Sequence, residues 1–240
     1  MSIKLLIKTI IISCLLFICG CSDKGIRIPE GFSYLEGDEE KGYVVTDASG
    51  NEYVWIPVKD LARYDFDNNT YVENNKAIDR IFYGEERKES VIYGMEYDID
   101  SFKRSVKKYG GFYISRYLIS KDGNSKANEE PYLHINRDDA LNYCLGYYKH
   151  EDIISVLTSS YAYDAMMLAY SNGLENIKDM DGKYSVWTSE YCSSSYYTYV
   201  EDCVSRSSNM SDDRVDLSKR NYNSNVSNEY TGFRMVIYFK

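Results

Sequence analysis

The longest apolar run of the chain lies near its start, from Thr9 to Phe17, behind Lys4 and Lys8. It is too short to cross a bilayer, and its order of basic, apolar and small residues is that of an export signal. Beyond it the pattern shortens. Val, Tyr and Ile bounded by Asp, Ser and Gly predict a hairpin, with strands at Gly42–Thr46 and Glu52–Val58 around a turn at Asp47–Asn51. Residues 59–99 hold many charges and no steady period, which predicts an irregular insertion with at most a short helix.

Three helices follow from caps and glycine stops. The first opens at Asp100 or Ser101, carries Phe102 and Val106, and stops at Gly110-Gly111; the apolar stretch after it predicts a buried strand. Asn136 caps the second, which places Ala140, Tyr143, Cys144 and Tyr147 on one face. Within Ser155–Gly173, the third has Thr158, Ser159 or Ser160 as its cap and Ala162, Ala165, Met166 and Ala169 as its packing stripe. From Leu174 on the chain is loop-rich, with short strands near Val186–Ser189, Val204–Ser207 and Gly232–Phe239. The apolar end, "EYTGFRMVIYFK", predicts an interior strand that closes the domain beside its beginning. The layout is α+β.

Composition sharpens this reading. The tetrad Ile18-Cys19-Gly20-Cys21 resembles a bacterial lipobox, with residues 1–20 as signal, 21–27 as lipidated tether and 28–240 as one domain. The other reading is an ordinary signal cut near Gly20 that leaves Cys21 as a thiol. The expected location is outside the cytoplasm, anchored to the bacterial cell membrane by the lipid on Cys21. A net charge of −9 disfavours nucleic acid and keeps the domain off an anionic bilayer except through its lipid. Cys144 on its apolar helical face reads as a core residue. Cys192 and Cys203 flank a polar loop and are expected to bridge it, or else to remain two reduced thiols. His134 and His150 stand in no metal-ligand or nucleophile-base spacing, and no phosphate-binding glycine loop or serine-hydrolase elbow occurs.

Several stretches, in order, resemble the formylglycine-generating enzyme (sulfatase-modifying factor) family. They are "GGFYISRY", "DDALNYC", "SVLTSSYAYDAMMLAY", "GKYSVWTSEY", "SRSSN" and "TGFRMVIYF", with "YVWIPV" upstream. The pattern departs from the family at Arg137, where a tryptophan is usual, and at Leu157-Thr158, which lacks the proline between. It departs again at Val186, in place of a glutamate, and at Ser207-Ser208, in place of a glycine pair. The resemblance implies a C-type-lectin-like fold with two to three helices, short strands, extensive loops and paired terminal strands. The last strand would then lie near "YVWIPV". Arg234 would be held by a carboxylate or by carbonyls at the core boundary, or would extend to solvent.

Family members that make formylglycine are copper oxidases with two cysteines upstream of the closing strand. The matching window, Ser205 to Lys219, holds no cysteine, and Cys203 lies just outside it. The resemblance also implies structural calcium at Asp179, Asp181 and Glu190, against which stands a surface acidic loop without an ion. Residues 191–228 are rich in Ser, Asn, Tyr and Asp, the composition of an adaptable recognition surface. Tyr196, Tyr197, Tyr199 and Tyr222 are its candidate ligand contacts. The expectation is a non-catalytic surface lipoprotein that binds a protein or glycan outside the membrane. The alternatives are a degenerate or active formylglycine-generating oxidase, and a structural envelope protein.

Overall fold

The computed structural model describes residues 25–58, 96–193, 201–207 and 220–240, the short strands at 64–65, 70–73, 76–79 and 91–93, and residues 215 and 217. The first strands are β1 (Phe32–Glu36), β2 (Val44–Asp47) and β3 (Glu52–Pro57). Asp47 closes the predicted hairpin turn. Its Oδ1 accepts from the backbone N–H of Ser49 and Asn51, and its Oδ2 from the Asn51 amide and the Tyr148 hydroxyl. Burial pushes the Asp47 carboxyl up, but these hydrogen bonds outweigh it and hold the carboxyl below its usual value.

Residues 59–99 differ from expectation. They contain β4 (Tyr64–Asp65), β5 (Thr70–Glu73) and β6 (Lys76–Asp79), which pair as an antiparallel meander, and then β7 (Val91–Tyr93). Strands this short leave no period to read in a charged sequence. Helix α1 (Glu96–Tyr109) begins a turn before the predicted cap. It is followed by β8 (Gly111–Ser115), α2 (Arg137–Cys144), β9 (Ile153–Leu157) and α3 (Ser160–Ser171). Asn136 and Ser159 cap α2 and α3 as predicted, their side chains accepting from the N–H of Asp139 and Ala162. Strand β9 was not foreseen, because its five residues run directly into the α3 cap. The chain ends with β10 (Ser185–Ser193), β11 (Glu201–Arg206), β12 (Arg220–Asn223), β13 (Thr231–Phe233) and β14 (Met235–Phe239).

A six-stranded sheet runs β1-β2-β3-β8-β14-β9, with antiparallel pairing at each step. The order follows burial. Every residue of β8 and β14 is buried, so both must be interior, whereas β1 is exposed along most of its length and forms an edge. The closing strand is therefore interior, as its apolar sequence predicts. Its partners are β8 and β9, so the expected pairing of the terminal strands is corrected: β8 stands between β14 and β3, and β1 lies at the far edge. A strand apolar on both faces needs two neighbours, and Val236 finds Ile114 on one side and Val156 on the other.

The pleat divides the core in two. Val54, Ile56, Phe112, Ile114, Val236 and Tyr238 meet α1 and α3, while Tyr53, Trp55, Tyr113, Met235, Ile237 and Phe239 face α2 with Ala140 and Cys144. Alternate residues thus serve opposite layers. The second sheet runs β12-β11-β10-β13, with β7 pairing the far half of β10. Strands β10 and β13 are parallel, and Arg234 alone separates β13 in this sheet from β14 in the other. One nine-residue segment, 231–239, therefore ties both sheets together. Among the described residues, no helix is long and apolar enough to cross a membrane.

Candidate functional site

The residues beneath the second sheet are polar yet buried. Arg206, at the end of β11, donates from Nη2 to Asp164 Oδ1 at 2.7 Å, and both side chains are fully shielded from solvent. Its guanidinium also lies over the Tyr163 ring, 4.8 Å from the centroid. Asp164 is delivered by α3, whose first turns are buried all round. The sequence carried a signal for this acid, since it falls among Ala162, Ala165 and Met166 on a helix with no polar face there. Its partner could not be named before the topology set β11 against α3.

Further hydrogen bonds fix the ladder above this pair. Thr188 Oγ1 donates to the Val204 carbonyl, Ser185 Oγ to the Ser207 carbonyl, and the Asn221 amide to the same Ser207 carbonyl. The Trp187 indole N–H donates to the Ile135 carbonyl. Arg137 is buried and donates from Nε to the Thr188 carbonyl and from Nη1 to Asp138. Asn225 ties this corner to the chain beyond β12, accepting from the Arg137 N–H and donating to Asp138. Neither Arg137 nor Asn225 was singled out as a site residue; an arginine at the start of a helix reads as solvated until its burial is known.

Arg234 is fully buried. Its Nη1 donates to the carbonyls of Ser115 and Arg116, and its Nη2 to those of Lys178 and Asp179. Carbonyls therefore hold it, one of the two expected arrangements, and the extended, solvated one does not occur. Burial pushes this guanidinium below its usual value, with Asp179 opposing the shift.

The candidate residues fall as follows. Tyr196, Tyr197 and Tyr199 lie outside the described residues, as does Cys21. Tyr222 sits in β12 opposite Val204, its side chain outside the description. Asp179 and Asp181 line a polar cleft of about 440 Å³ with Asn128, Glu129, Glu130, Lys183 and Tyr184. Asp179 Oδ2 is engaged by the Leu118 N–H and Asp181 Oδ1 by the Lys183 N–H. Glu190 lies in β10, its side chain outside the description. Among the described residues no three acids, histidines or cysteines are placed to hold a metal ion.

In the ladder, Cys203 stands opposite Tyr191 and Cys192 opposite Asp202. The side chain of Cys192 lies outside the described residues, and with it the expected bridge. Cys203 is buried, and Cys144 is buried with its thiol pushed well up by desolvation, as a core residue should be. His134 takes a left-handed backbone and donates its N–H to the Asn228 carbonyl, while the His150 ring rests against Gly31. They lie on separate loops, before α2 and before β9.

No family model matches the chain, and no curated protein or solved structure matches it.

Proposed function

We propose that this chain is an exported lipoprotein, anchored through Cys21. Its domain is of the formylglycine-generating, C-type-lectin-like type and serves as a non-catalytic binding module. The fold part is supported by one backbone angle. Ser207 stands where the resemblance places a glycine of the family's pair, and its φ is +74°, a conformation that favours glycine. A serine in a glycine's geometry, at the position matched to a glycine, argues for descent from that pattern.

The binding part is carried by the second sheet. Strands β10, β11 and β12 are anchored by the Arg206–Asp164 pair and the Asn221 and Asn225 hydrogen bonds. Residues 194–200 and 224–230, rich in Tyr, Ser and Asn, and residues 208–219, rich in Ser and Asp, connect these strands and the next. Polar connections of this composition between well-anchored strands are the usual source of a recognition surface. The ligand is a protein or glycan outside the membrane.

The test compares the protein with a Tyr196→Ala/Tyr197→Ala/Tyr199→Ala variant on arrays of envelope glycans and surface proteins. Binding of a defined target, weakened about tenfold or more in the variant at unchanged melting temperature, supports the reading. Absence of binding to either class favours a structural envelope role. Tight Cu(I) binding with O₂ consumption on a thiol peptide overturns it in favour of the oxidase. Replacement of Cys21 by Ala should release the protein from membranes washed in high salt without unfolding it.

A further inference from the structure

We infer that the outward face of α1, toward its carboxyl end, is a docking surface for the headgroups of anionic phospholipids. The inference builds on the lipidation of Cys21 but concerns a separate contact. It begins with Arg27, the last residue of the expected lipidated tether. Its guanidinium lies over the rings of Tyr109 and Phe239, 4.6 and 4.9 Å from their centroids. It donates to the Tyr109 hydroxyl at 2.7 Å and reaches Asp152 at 3.5 Å. The Arg27 carbonyl accepts from the Tyr113 hydroxyl at 2.8 Å. The chain is thus fastened to the domain at the carboxyl end of α1.

Only three residues separate Cys21 from Gly25, where the described residues begin. Fully extended, the four steps between them span about 14 Å. A lipid on Cys21 therefore holds this end of α1 within reach of the headgroups. There the helix presents Arg104, Lys107 and Lys108 to solvent, with Ser105, Val106 and Phe102 buried on its other side. No acid occurs from Ser101 to Tyr109.

The helix dipole accounts for Lys107 and Lys108 in the last turn. It does not account for Arg104, further back. A cationic face beside the tether also runs against a chain whose net charge is −9. The nearby carboxylates limit the attraction without cancelling it. Asp152 is engaged by Arg27, Asp100 lies one turn before Arg104, and Asp38 and Glu39 line a cleft with Gly25 and Ile26. Juxtamembrane cations attract anionic lipid by roughly fivefold in partition each, within a Debye length of the surface.

The experiment uses residues 22–240, which hold every described contact and carry no lipid, so its outcome is independent of anchoring. Co-sedimentation is measured with vesicles of phosphatidylcholine alone and with phosphatidylglycerol added, at low and high salt. The expected result is binding only to the anionic vesicles, reversed by salt. It should weaken on the order of a hundredfold in Arg104→Gln/Lys107→Gln/Lys108→Gln and change little in Lys121→Gln/Lys126→Gln/Lys183→Gln. Equal loss in both triple variants, equal binding to neutral vesicles, or no binding at low salt overturns the inference. The vesicle and salt comparisons on the unaltered domain stand even if a variant folds poorly. Release of the Cys21→Ala protein from cell membranes washed in high salt, where the headgroup contact is reversed, reports by contrast on the anchor.

Discussion

At the scale of single residues, the buried charges set the terms. Arg206 and Asp164 form a buried ion pair, so removing one leaves the other charged in surroundings that solvate it poorly. Asp164→Ala should destabilise the domain by about 3–5 kcal/mol, and a paired replacement of both by leucine should recover much of that loss. Urea midpoints for Asp164→Ala, Asp164→Leu, Arg206→Leu and the double leucine variant check this; purely additive losses in the leucine series would refute a coupled pair. Ser207 offers a subtler case. Its left-handed backbone costs about 1–2 kcal/mol for a residue with a Cβ, and its hydroxyl hydrogen-bonds Tyr163. Ser207→Ala and Ser207→Gly both lose the hydroxyl, but only glycine relieves the backbone. The glycine variant should therefore be the more stable of the two by about 1 kcal/mol, read from melting temperatures. Equal stability would remove the support that this angle gives to the proposed fold.

At the scale of elements, the Gly110-Gly111 pair between α1 and β8 shows how far the sequence could be read. The pair reads as a helix stop, and α1 does end there, at Tyr109. The two glycines nevertheless do different things. Gly110 takes φ +83° with open space around it, whereas a Cβ on Gly111 would lie 2.2 Å from the Ile56 carbonyl oxygen and 2.7 Å from the Trp55 ring. Gly111→Ala must push β3 from β8 and should cost about 1–3 kcal/mol or more through overpacking. Gly110→Ala should cost about 1–2 kcal/mol through strain alone. Exchange of the β3 and β8 amides separates them, because only the Gly111 variant should lose protection along that ladder. Caps, stops and the hairpin were legible because their signals are local, as at Asn136, Ser159 and Asp47. The partner of β14, the placement of β9 and the burial of Arg137 were not, because each depends on which distant strand arrives alongside. For the site, Asp179 and Asp181 do share a cleft, but nothing in their spacing told that backbone N–H groups already engage both.

At the scale of the whole molecule, the last strand decides whether the domain exists at all. Met235, Val236, Ile237, Tyr238 and Phe239 are fully buried, and they fill both core layers between β8 and β9. Burying each such side chain contributes about 1.5–3 kcal/mol, so the strand as a whole is comparable with the total stability of a typical domain. Its removal would also uncover the facing edges of β8 and β9, whose backbone groups have no other partners in the sheet. Arg234 would then remain on a chain end, although its guanidinium fastens residues 115–116 and 178–179 together from the junction of the two sheets. A chain ending at Arg234 should therefore fail to fold rather than fold with lower stability. Cys144 supplies the readout, since it is fully buried beside Ile237 and Phe239 in one core layer and its thiol is held protonated by desolvation. In the intact protein, alkylation mapped to the Cys144 peptide should require denaturant. In the truncated chain it should proceed at the rate of an unfolded peptide in plain buffer. Native-like protection of Cys144 in the truncated chain would show that β14 is an accessory to the sheet and not its centre.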